Sequence, residues 1–495
     1  MARPRKNIID LYKIICRKYR AFSIIEGRLL CMSCDKVMPN DAKHITDRVK
    51  SHIESKSHKE SDRKRQENGV VQLPLSNYIE LANRADKELK QFHTDLTRAF
   101  VASNIPLYKL QLDPMVEFFG KYISKYRLPS INSLRYSEVD KIYHETVDKI
   151  RKKIGEQDIF VMIDETIDRC DRKQVNFLIG ILNGEPFEPM LIHTEFCDSC
   201  TAETIQTLYI DCCKILWPSA IGKVPYDRVR LLVSDQAAYM LKAGDLIKNF
   251  STGMLHVTCI AHAFSRVAEK VRSEHPTVDL FLANFKQILK NAGRRADYKR
   301  KTGLPLPPIP ILTRWTTWLE AAQYVAIHLG AIKDYLRTLN TESKALRKLL
   351  SLFDDNDDDD YELADEFVSL HDFYFLIDKT KQIQEESMRI EDAWDIIKEV
   401  ADKLSAARIS SPYQKFEKSL RKNTDLKQLM TRASSGQDVD FRVKMQYAPV
   451  VSSDIERSFS VTKRVLAPER CLFTTENLVK YYVIAYNHAL INSPL

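Results

Sequence analysis

The sequence predicts a multidomain protein of the mixed α+β class. Its 495 residues exceed what one hydrophobic core usually supports, so several domains are expected. Apolar runs with the character of strands are concentrated between residues 156 and 275, whereas the sequence on both sides of this region has mainly helical spacing of apolar residues. The first 70 residues contain paired cysteines and histidines. We therefore expect a small metal-bound module, a helical region, an α/β core and a helical second half.

The composition excludes several classes of protein. Hydrophobic residues make up 44% of the chain, and no run approaches the ~18 apolar residues of a membrane span. The N-terminus, MARPRKNIID, lacks the apolar core of a signal peptide, so we expect reduced cysteines and a cytoplasmic or nuclear protein. None of the 13 glycines belongs to a phosphate-cradling pattern. We therefore predict neither a membrane partner nor a small-molecule substrate.

Positive charge is confined to the N-terminal end. Residues 1–70 contain 17 Lys and Arg against 9 Asp and Glu, and this excess equals the net charge of +8 for the whole chain. A basic module on a near-neutral body is typical of proteins that bind a polyanion, and nucleic acid is the commonest one. A solvated basic tail is the alternative.

Residues 1–70 also contain the side chains for a zinc site. Two residues separate Cys31 from Cys34, and five separate His52 from His58. Two thiolates from a turn and two imidazoles from a helix can hold one tetrahedral Zn²⁺, whose binding would stabilise a module too small for its own core. His44 is a spare imidazole that can replace one ligand. The alternative is a disordered tail with scattered thiols and imidazoles.

A single basic helix is predicted between and around these histidines. Ile45, Val49 and Ile53 follow one another at four-residue spacing on one face. The basic residues Arg48, Lys50 and Lys56 lie on the other faces, so we predict that they contact DNA.

Residues 71–155 are predicted to form a helical linker domain. The charged and turn-rich segment 61–75 precedes it. Helical spacing then covers 78–102, 114–126 and 136–155.

Residues 156–275 contain the predicted strands. Extended runs at 159–164, 175–182 and 189–196 are followed by a helix at 202–216, a strand at 229–233 and a short run at 254–257. This is the order of an RNase H-like α/β core. Asp164 and Asp235 are each expected at the C-terminal end of a strand, where α/β sheets commonly present metal ligands.

The rest of the chain is predicted to be helical. Residues 276–445 form an insertion that interrupts the core, and within it a Pro-rich segment at 301–312 and an acidic run at 354–360 predict loops. Residues 446–495 supply the last helices of the core, at 453–465 and 475–490.

Three acidic residues form the candidate catalytic set. They are Asp164, Asp235 and Glu456, the last within the helical sequence SSDIERSFS. Three carboxylates can hold two divalent ions roughly 4 Å apart, of which one activates a nucleophile and the other stabilises the leaving oxygen. Mg²⁺ suits such oxygen ligands, and Mn²⁺ can substitute. Glu165 and Asp168 are alternative ligands, although the expected strand-end position favours Asp164.

The order of the motifs resembles that of hAT transposases. The motifs are the Asp164 strand, Ser234-Asp235, Cys259-Ile-Ala-His262, Thr313-Arg314-Trp315 and Ser453-Asp-Ile-Glu456-Arg457-Ser-Phe459-Ser460. The N-terminal segment resembles a BED-type zinc finger. The segment from about residue 10 to residue 145 is similar to the CGG triplet repeat-binding protein family. The motifs that carry this similarity are ASNIPLYKL at 102–110, Pro129-Ser130 and Leu134-Arg135.

This resemblance implies roles for individual residues. Asp164, Asp235 and Glu456 would be the DDE metal ligands, and His262 would contact the scissile phosphate. The residues themselves leave open that Cys259 and His262 are half of a zinc site. Arg314 and Trp315 would open the helical insertion, with the indole stacked on an extruded base; a buried core Trp is the alternative. The C-terminal segment would mediate dimerisation.

The leading hypothesis is a nuclear hAT-type DDE transposase that cuts double-stranded DNA at element ends, joins them to target DNA and self-associates as a dimer or larger assembly. The main alternative is a domesticated, transposase-derived DNA-binding regulator without cleavage activity. An RNase H-like nuclease acting on RNA is a third hypothesis, but it leaves the finger and the C-terminal motif unexplained.

Overall fold

The structure is a computed structural model. It describes residues 8–25, 27–39, 43–67, 75–218, 223–310, 316–340, 343–353, 359–434, 438–466 and 473–492. Two compact units are present, one of residues 1–96 and 110–130 and the other of residues 97–109 and 131–495. Arg314, Trp315 and residues 354–358 of the acidic run lie outside the described residues.

The first unit begins with a small α/β module. Its elements are α1 (Ile8–Lys18), β1 (Phe22–Ile25), β2 (Arg28–Cys31), β3 (Lys36–Val37), α2 (Ile45–Glu54) and α3 (Lys56–Glu67). The three strands pair antiparallel in the order β1-β2-β3. Tyr12, Phe22, Leu29 and Val49 are among the buried side chains of its core. The module therefore has a core of its own, although a small one.

The prediction of one basic helix across both histidines was wrong. The chain breaks at Ser55, whose backbone is extended (φ −67°, ψ 146°), between α2 and α3. The Ser55 hydroxyl donates to the carbonyl of His52 at 2.7 Å and accepts from the amide of His58 at 3.2 Å. In a continuous helix, residues six positions apart would point about 120° away from each other. The break at Ser55 is what allows the two imidazoles to converge.

Helices connect the module to the central sheet. They are α4 (Leu75–Ala102), α5 (Asp113–Tyr122), α6 (Ile131–Ser133) and α7 (Val139–Ile154), with a 3₁₀ turn at Leu107–Gln111 and a π turn at Leu134–Glu138. The predicted helices are present here, but α5 ends earlier than predicted, at Tyr122.

The second unit is built on a five-stranded mixed sheet. Its strands are β4 (Ile159–Ile167), β5 (Lys173–Ile181), β6 (Met190–Cys197), β7 (Val229–Ser234) and β8 (Leu255–Thr258), in the order β6-β5-β4-β7-β8. The first three strands are antiparallel neighbours, whereas β7 and β8 run parallel to β4. Helices α8 (Ala202–Leu216), α9 (Ala238–Lys248) and α10 (Ile260–Ser273) accompany them. Every predicted strand is therefore confirmed as an element.

Asp164 does not end its strand, contrary to the expectation. β4 continues to Ile167 because its hairpin with β5 pairs Ile167 with Lys173. The parallel ladder with β7, by contrast, stops at Met162 and Val233. Asp164 therefore lies within the hairpin but beyond the end of the parallel ladder.

The second half of the chain is helical, as predicted. Its helices are α11 (Pro276–Ile288), α12 (Ala292–Thr302), α13 (Thr317–Arg337), α14 (Lys344–Ser351), α15 (Asp359–Leu370), α16 (Phe375–Gln382), α17 (Ile390–Ala406), α18 (Ser411–Lys422), α19 (Thr424–Ser434), α20 (Val439–Lys444), α21 (Ser453–Val465), α22 (Thr475–Tyr486) and α23 (His488–Asn492). Across the described ranges, no helix combines the length and the apolar composition that crossing a bilayer requires.

Two asparagines from the helical part close the edges of the sheet. The amide of Asn487 donates to the carbonyl of Leu191 at 2.8 Å and accepts from its N–H at 3.1 Å on edge strand β6. Asn423 makes the same pair of bonds with Thr258 on the opposite edge strand, β8. A carboxamide offers one acceptor and donors in the arrangement of a peptide group, so it can continue a ladder where a strand would otherwise be unpaired.

A close approach between α9 and β8 makes a glycine necessary. A Cβ atom at Gly244 would lie 2.0 Å from Nδ1 of the buried His256, whose Nε2 bonds to the Ser234 hydroxyl at 2.8 Å. Gly-to-Ala in a helix normally stabilises by about 1 kcal/mol, but we expect Gly244→Ala to lower the free energy of unfolding by about 1–3 kcal/mol through overpacking. Urea unfolding measures the change.

Gly330 in α13 is the matched control. It is helical, and an added Cβ would meet nothing within 4 Å. Gly330→Ala is therefore expected to stabilise or to be neutral. Equal stability of the two variants would show that His256 is not held against α9.

Candidate functional site

The parallel pairing of β4 and β7 brings two aspartates together. Met162 lies opposite Val233, and continuing that register by two residues places Asp164 level with Asp235. Asp235 directly follows β7, where its carboxylate accepts the N–H of Ala237 at 3.1 Å. Asp164 lies on the same face of β4 as the core residues Phe160 and Met162, and it is itself buried.

Contacts at the start of α10 bring Glu456 to the same place. The Sγ atom of Cys259 accepts the N–H of Ser452 at 3.1 Å, and the carbonyl of Val450 accepts the N–H of Ile260 at 3.0 Å. These bonds hold the segment before α21 against the start of α10. Glu456 in the first turn of α21 therefore approaches the imidazole of His262 in the first turn of α10.

The structure brings Asp164, His262 and Glu456 into one group. One ligand atom from each residue lies within 4.8 Å of the others. Asp235 is outside this closest group, but it is near enough for its charge to raise the pKa of Asp164. The carboxylates of Asp164 and Glu456, with that of Asp235 beside them, fit Mg²⁺ or Mn²⁺, both of which bind carboxylate oxygens.

The electrostatics of the group favour a cation. Burial raises the pKa of Asp164 to about 7, assisted by the charges of Asp235 and Glu456 and opposed by His262. Burial also raises the pKa of Glu456. For His262, burial disfavours the charged imidazole, but Cys259, Asp164 and Glu456 outweigh it and raise the pKa to about 9. A divalent ion would relieve the repulsion between these clustered carboxylates.

The two alternative acidic ligands have other partners. Asp168 is buried and accepts Nε and Nη2 of Arg172 at 2.9 and 2.8 Å, together with the backbone N–H groups of Cys170 and Arg172. Glu165 lies on the opposite face of β4 from Asp164, because neighbouring residues of a strand alternate, and it pairs with Lys173 at 3.1 Å. The geometry thus favours Asp164 over both.

Cys259 makes a structural hydrogen bond and does not belong to the group of metal ligands around His262. Its thiol is buried and accepts the Ser452 amide, as described above. Within the described ranges, the only group of potential ligands that contains His262 is the one with Asp164 and Glu456. This arrangement does not favour half of a zinc site at Cys259 and His262.

A buried polar ladder beside the acidic residues was not predicted. It consists of Gln174 and Asn176 on β5, Thr194 on β6, and Ser458 and Thr462 on α21. Asn176 donates to Ser458 at 2.6 Å and accepts from Thr194, and Gln174 donates to Thr462 at 2.8 Å. In the register of the β4–β5 hairpin, Asn176 also lies directly opposite Asp164. The signal in the sequence was the polar residues at alternate positions of an otherwise apolar strand, KQVNFLIGI.

The ladder fixes α21, and therefore Glu456, against the strand of Asp164. We expect Asn176→Ala to lower the free energy of unfolding by about 2–4 kcal/mol, because Ser458 and Thr194 lose a buried partner. Urea unfolding measures the change.

Asn183→Ala is the control for this prediction. Asn183 is exposed and makes one bond, to the N–H of Glu185 at 3.0 Å, so its loss should change stability by about 1 kcal/mol or less. If Asn176→Ala were no more destabilising than Asn183→Ala, the ladder would not position α21.

The predicted zinc ligands also converge. Sγ of Cys34 lies 3.3 Å from Sγ of Cys31, 3.0 Å from Nε2 of His52 and 3.4 Å from Nδ1 of His58, and Sγ of Cys31 lies 3.3 Å from Nδ1 of His58. Tetrahedral zinc with ordinary bond lengths separates its ligands by about 3.5–3.8 Å, so only a slight expansion is needed. Burial lowers the pKa of His52, which favours the neutral imidazole that metals bind. The four residues fit Zn²⁺.

His44 is not one of these ligands. It is exposed, precedes α2 and lies outside the group of Cys31, Cys34, His52 and His58. The predicted DNA-binding residues Arg48, Lys50 and Lys56 are all exposed on α2 and α3. Their side chains can therefore be reached by a nucleic acid.

Comparison with known proteins gives one domain match and several similar solved structures. No curated protein matches the sequence. Solved structures that resemble it include the Drosophila P element transposase strand transfer complex, with a TM-score of 0.38 and 10% identity over 91% of this chain and 100% of that chain.

The domain match is more informative. Residues 129–294 match a domain of unknown function, DUF659, which contains Asp164, Asp235 and His262 in this chain. The match does not extend to the zinc ligands, so the similarities of the N-terminal segment to BED fingers and to the CGG triplet repeat-binding family stay predictions. The matched residues make up about a third of the chain, and the description of DUF659 assigns no function to them.

Proposed function

We propose that this chain is a hAT-type DDE transposase that cuts and joins double-stranded DNA with the help of divalent cations. The observation that carries the proposal is the convergence of Asp164, His262 and Glu456, within 4.8 Å of one another, with Asp235 beside them. Asp164 and Glu456 are separated by almost 300 residues in the sequence, and the fold brings them together at one end of a mixed sheet.

The topology supports assigning an RNase H-like core. Three antiparallel strands are followed by two strands parallel to the first, in the order β6-β5-β4-β7-β8. We assign residues 156–275 and 446–495 to this core, and residues 276–445 to a helical insertion within it. Asp164 then comes from the central strand β4, Asp235 from the end of its neighbour β7, and Glu456 from the first helix after the insertion.

The side chains suggest how the reaction would proceed. Asp164, Asp235 and Glu456 would hold Mg²⁺ or Mn²⁺, which supplies activation of water or of a strand's 3′-hydroxyl and stabilisation of the leaving oxygen. His262, whose pKa is raised to about 9 by Cys259, Asp164 and Glu456 against the effect of burial, can donate a hydrogen bond to a phosphate oxygen of the scissile bond. The N–H of Ala237 donates to the carboxylate of Asp235 and holds it in place, so this side chain would need little rearrangement to bind a cation.

The N-terminal module would supply DNA recognition. Cys31, Cys34, His52 and His58 would hold a structural Zn²⁺, and the exposed basic residues Arg48, Lys50 and Lys56 would contact DNA. We extend the proposal to Arg314 and Trp315 as a base-stacking pair, to a C-terminal dimerisation segment and to a nuclear location, on the strength of the resemblance described above.

A cleavage assay tests the proposal. The purified full-length chain is incubated with DNA from the two flanks of its own coding sequence, including any terminal inverted repeats, in Mg²⁺, Mn²⁺ or EDTA. We expect cleavage at the element ends that depends on the cation, and we expect Asp235→Asn to bind DNA normally without cutting it. Mg²⁺-dependent cleavage by Asp235→Asn would overturn the role of Asp235. DNA binding without cleavage by the wild-type chain would favour a domesticated regulator.

A further inference from the structure

A stripe of three lysines runs along α18. Lys415, Lys418 and Lys422 are exposed and lie on one side of the helix, because positions three and four apart are neighbours on a helix surface. The buried residues Phe416 and Ser419 occupy a different side, where Phe416 packs on Phe264 of α10. We call these three residues the α18 lysine stripe.

Hydrogen bonds connect this helix to the candidate site. Nε2 of Gln236, the residue that follows Asp235, donates to the carbonyl of Ser419 at 2.9 Å. Arg266 donates to Oε1 of the same Gln236 at 2.7 Å. Arg266 lies one helical turn beyond His262 on α10. A continuous path of contacts therefore leads from Asp235 and His262 to the middle of α18.

The end of α18 is held firmly against the sheet. Asn423 directly follows the helix and forms the two bonds to Thr258 at the edge of β8. Asp425 accepts the N–H of His256 at 2.7 Å and pairs with Lys248 at 2.7 Å. The lysine stripe is thus held at a defined position relative to the acidic residues.

The positive charge of the stripe is not neutralised by the protein. Among the residues that the structure describes, none of the three lysines has an ion pair or side-chain hydrogen bond. The neighbouring acids are already engaged: Glu417 pairs with Arg421 at 2.8 Å, and Asp425 has the partners named above. The stripe therefore presents three cations without an opposing acid.

From this placement we infer that the α18 lysine stripe binds the phosphodiester backbone of the DNA that enters the catalytic site. The inference rests on the proposed function and specifies the path of its substrate. Seven residues of helix span about 10 Å, which matches about three phosphates along one strand of B-form DNA. Arg266 would continue this contact from the stripe towards His262.

The salt dependence of DNA binding tests the inference. Binding of a fluorescein-labelled 40-base-pair duplex of arbitrary sequence is measured by fluorescence anisotropy at several salt concentrations. The buffer contains Ca²⁺ as the divalent cation. It contains no EDTA, so that the zinc module keeps its metal. Each lost phosphate contact lowers the slope of log K against log salt by about 0.9. For Lys415→Ala/Lys418→Ala/Lys422→Ala in the full-length chain, we expect the slope to fall in magnitude by about 2–3.

Helix α14 provides a matched control. Its residues Lys344, Arg347 and Lys348 are also exposed, and α14 packs on α11 and α13. Changing these three residues to Ala removes the same charge and should leave the slope unchanged. Replacing the three stripe lysines by Arg keeps the charge and should also preserve the slope, which separates loss of charge from misfolding.

The outcomes separate the inference from the proposed function. An unchanged slope for the stripe variant, with cleavage by the wild-type chain that Asp235→Asn abolishes, would overturn the inference and leave the proposed function standing. An equal loss of slope in the α14 variant would also overturn it, since the effect would then report net charge alone. The third outcome is a fall in the salt slope for the stripe variant alone, together with no cleavage by the wild-type chain. It would support the DNA contact and count against the transposase.

Discussion

Asp164→Asn is expected to abolish metal-dependent DNA cleavage while making the metal-free protein more stable. Asp164 is buried, and burial together with Asp235 and Glu456 raises the pKa of its carboxyl group to about 7. A carboxylate held in such a place is unfavourable without a cation, and Asn removes the charge at nearly the same size. Loss of a ligand should reduce cleavage by at least about a thousandfold, as removal of central electrostatic groups does in other enzymes.

The raised pKa of Asp164 also determines how the stability of the metal-free protein changes with pH. The folded-state pKa of about 7 lies above the ordinary value of 3.8. Between these two pH values the folded protein keeps a proton on Asp164 that the unfolded chain has lost. The contribution of this proton to the free energy of unfolding is therefore at its maximum below pH 4 and is lost as the pH rises to 7. The change is on the order of 4 kcal/mol. Asp164→Asn should flatten this part of the curve and raise the melting temperature at pH 8.

Asp168→Asn is the matched control for Asp164→Asn. It removes the charge of a second buried aspartate in the same hairpin, but one that accepts two N–H groups of Arg172. Here we expect a loss of about 2–4 kcal/mol in the free energy of unfolding, with metal dependence of cleavage retained. Thermal unfolding with and without Mn²⁺ measures both variants. Destabilisation by Asp164→Asn at pH 8 would show that its carboxylate already has adequate partners.

Zinc removal is expected to unfold the N-terminal module and leave the five-stranded sheet intact. The four ligand atoms converge at one point of a module with a small core, so most of its stability should come from the metal, on the order of 10 kcal/mol. Cys31→Ser should therefore lose the bound zinc and most of the affinity for DNA. Zinc stoichiometry, limited proteolysis and DNA-binding measurements check the result.

Two neighbouring substitutions serve as controls for the zinc site. Cys16 packs against the same core but is outside the ligand group, so Cys16→Ser should keep its zinc. His44→Ala should likewise keep zinc, whereas His52→Ala should lose it. The reverse result for the two histidines would show that His44 is the ligand.

Local sequence patterns were sufficient to predict most of the elements. Continuous apolar runs identified the strands, and apolar spacing identified α8 and α21 with the bounds that the structure has. The position of Asp164 was less predictable. Its strand continues past it because β5 pairs with it in a hairpin, and the end of the apolar run marks the limit of the pairing with β7 instead.

Features that depend on several distant elements could not be predicted from the sequence. The break at Ser55 brings His52 and His58 to Cys31 and Cys34, which come from a distant part of the module, and the helical spacing around Ser55 does not reveal this. The polar ladder joins β5 to α21 across more than 280 residues, and each of its members alone looks like an ordinary polar residue. The order of motifs predicted Glu456, but its distance from Asp164 depends on contacts such as Ser452 with Cys259.

The central claim is that Asp164, Asp235 and Glu456 hold the cations used for DNA cleavage, and metal rescue tests it most directly. Each of the three is replaced in turn by Cys, and cleavage by the full-length chain is measured in Mg²⁺ and in Mn²⁺. Since a thiolate accepts Mn²⁺ more readily than Mg²⁺, we predict almost no cleavage in Mg²⁺ and recovery of at least about tenfold in Mn²⁺. Cleavage at the wild-type rate in Mg²⁺ by any one of the three variants would contradict the claim.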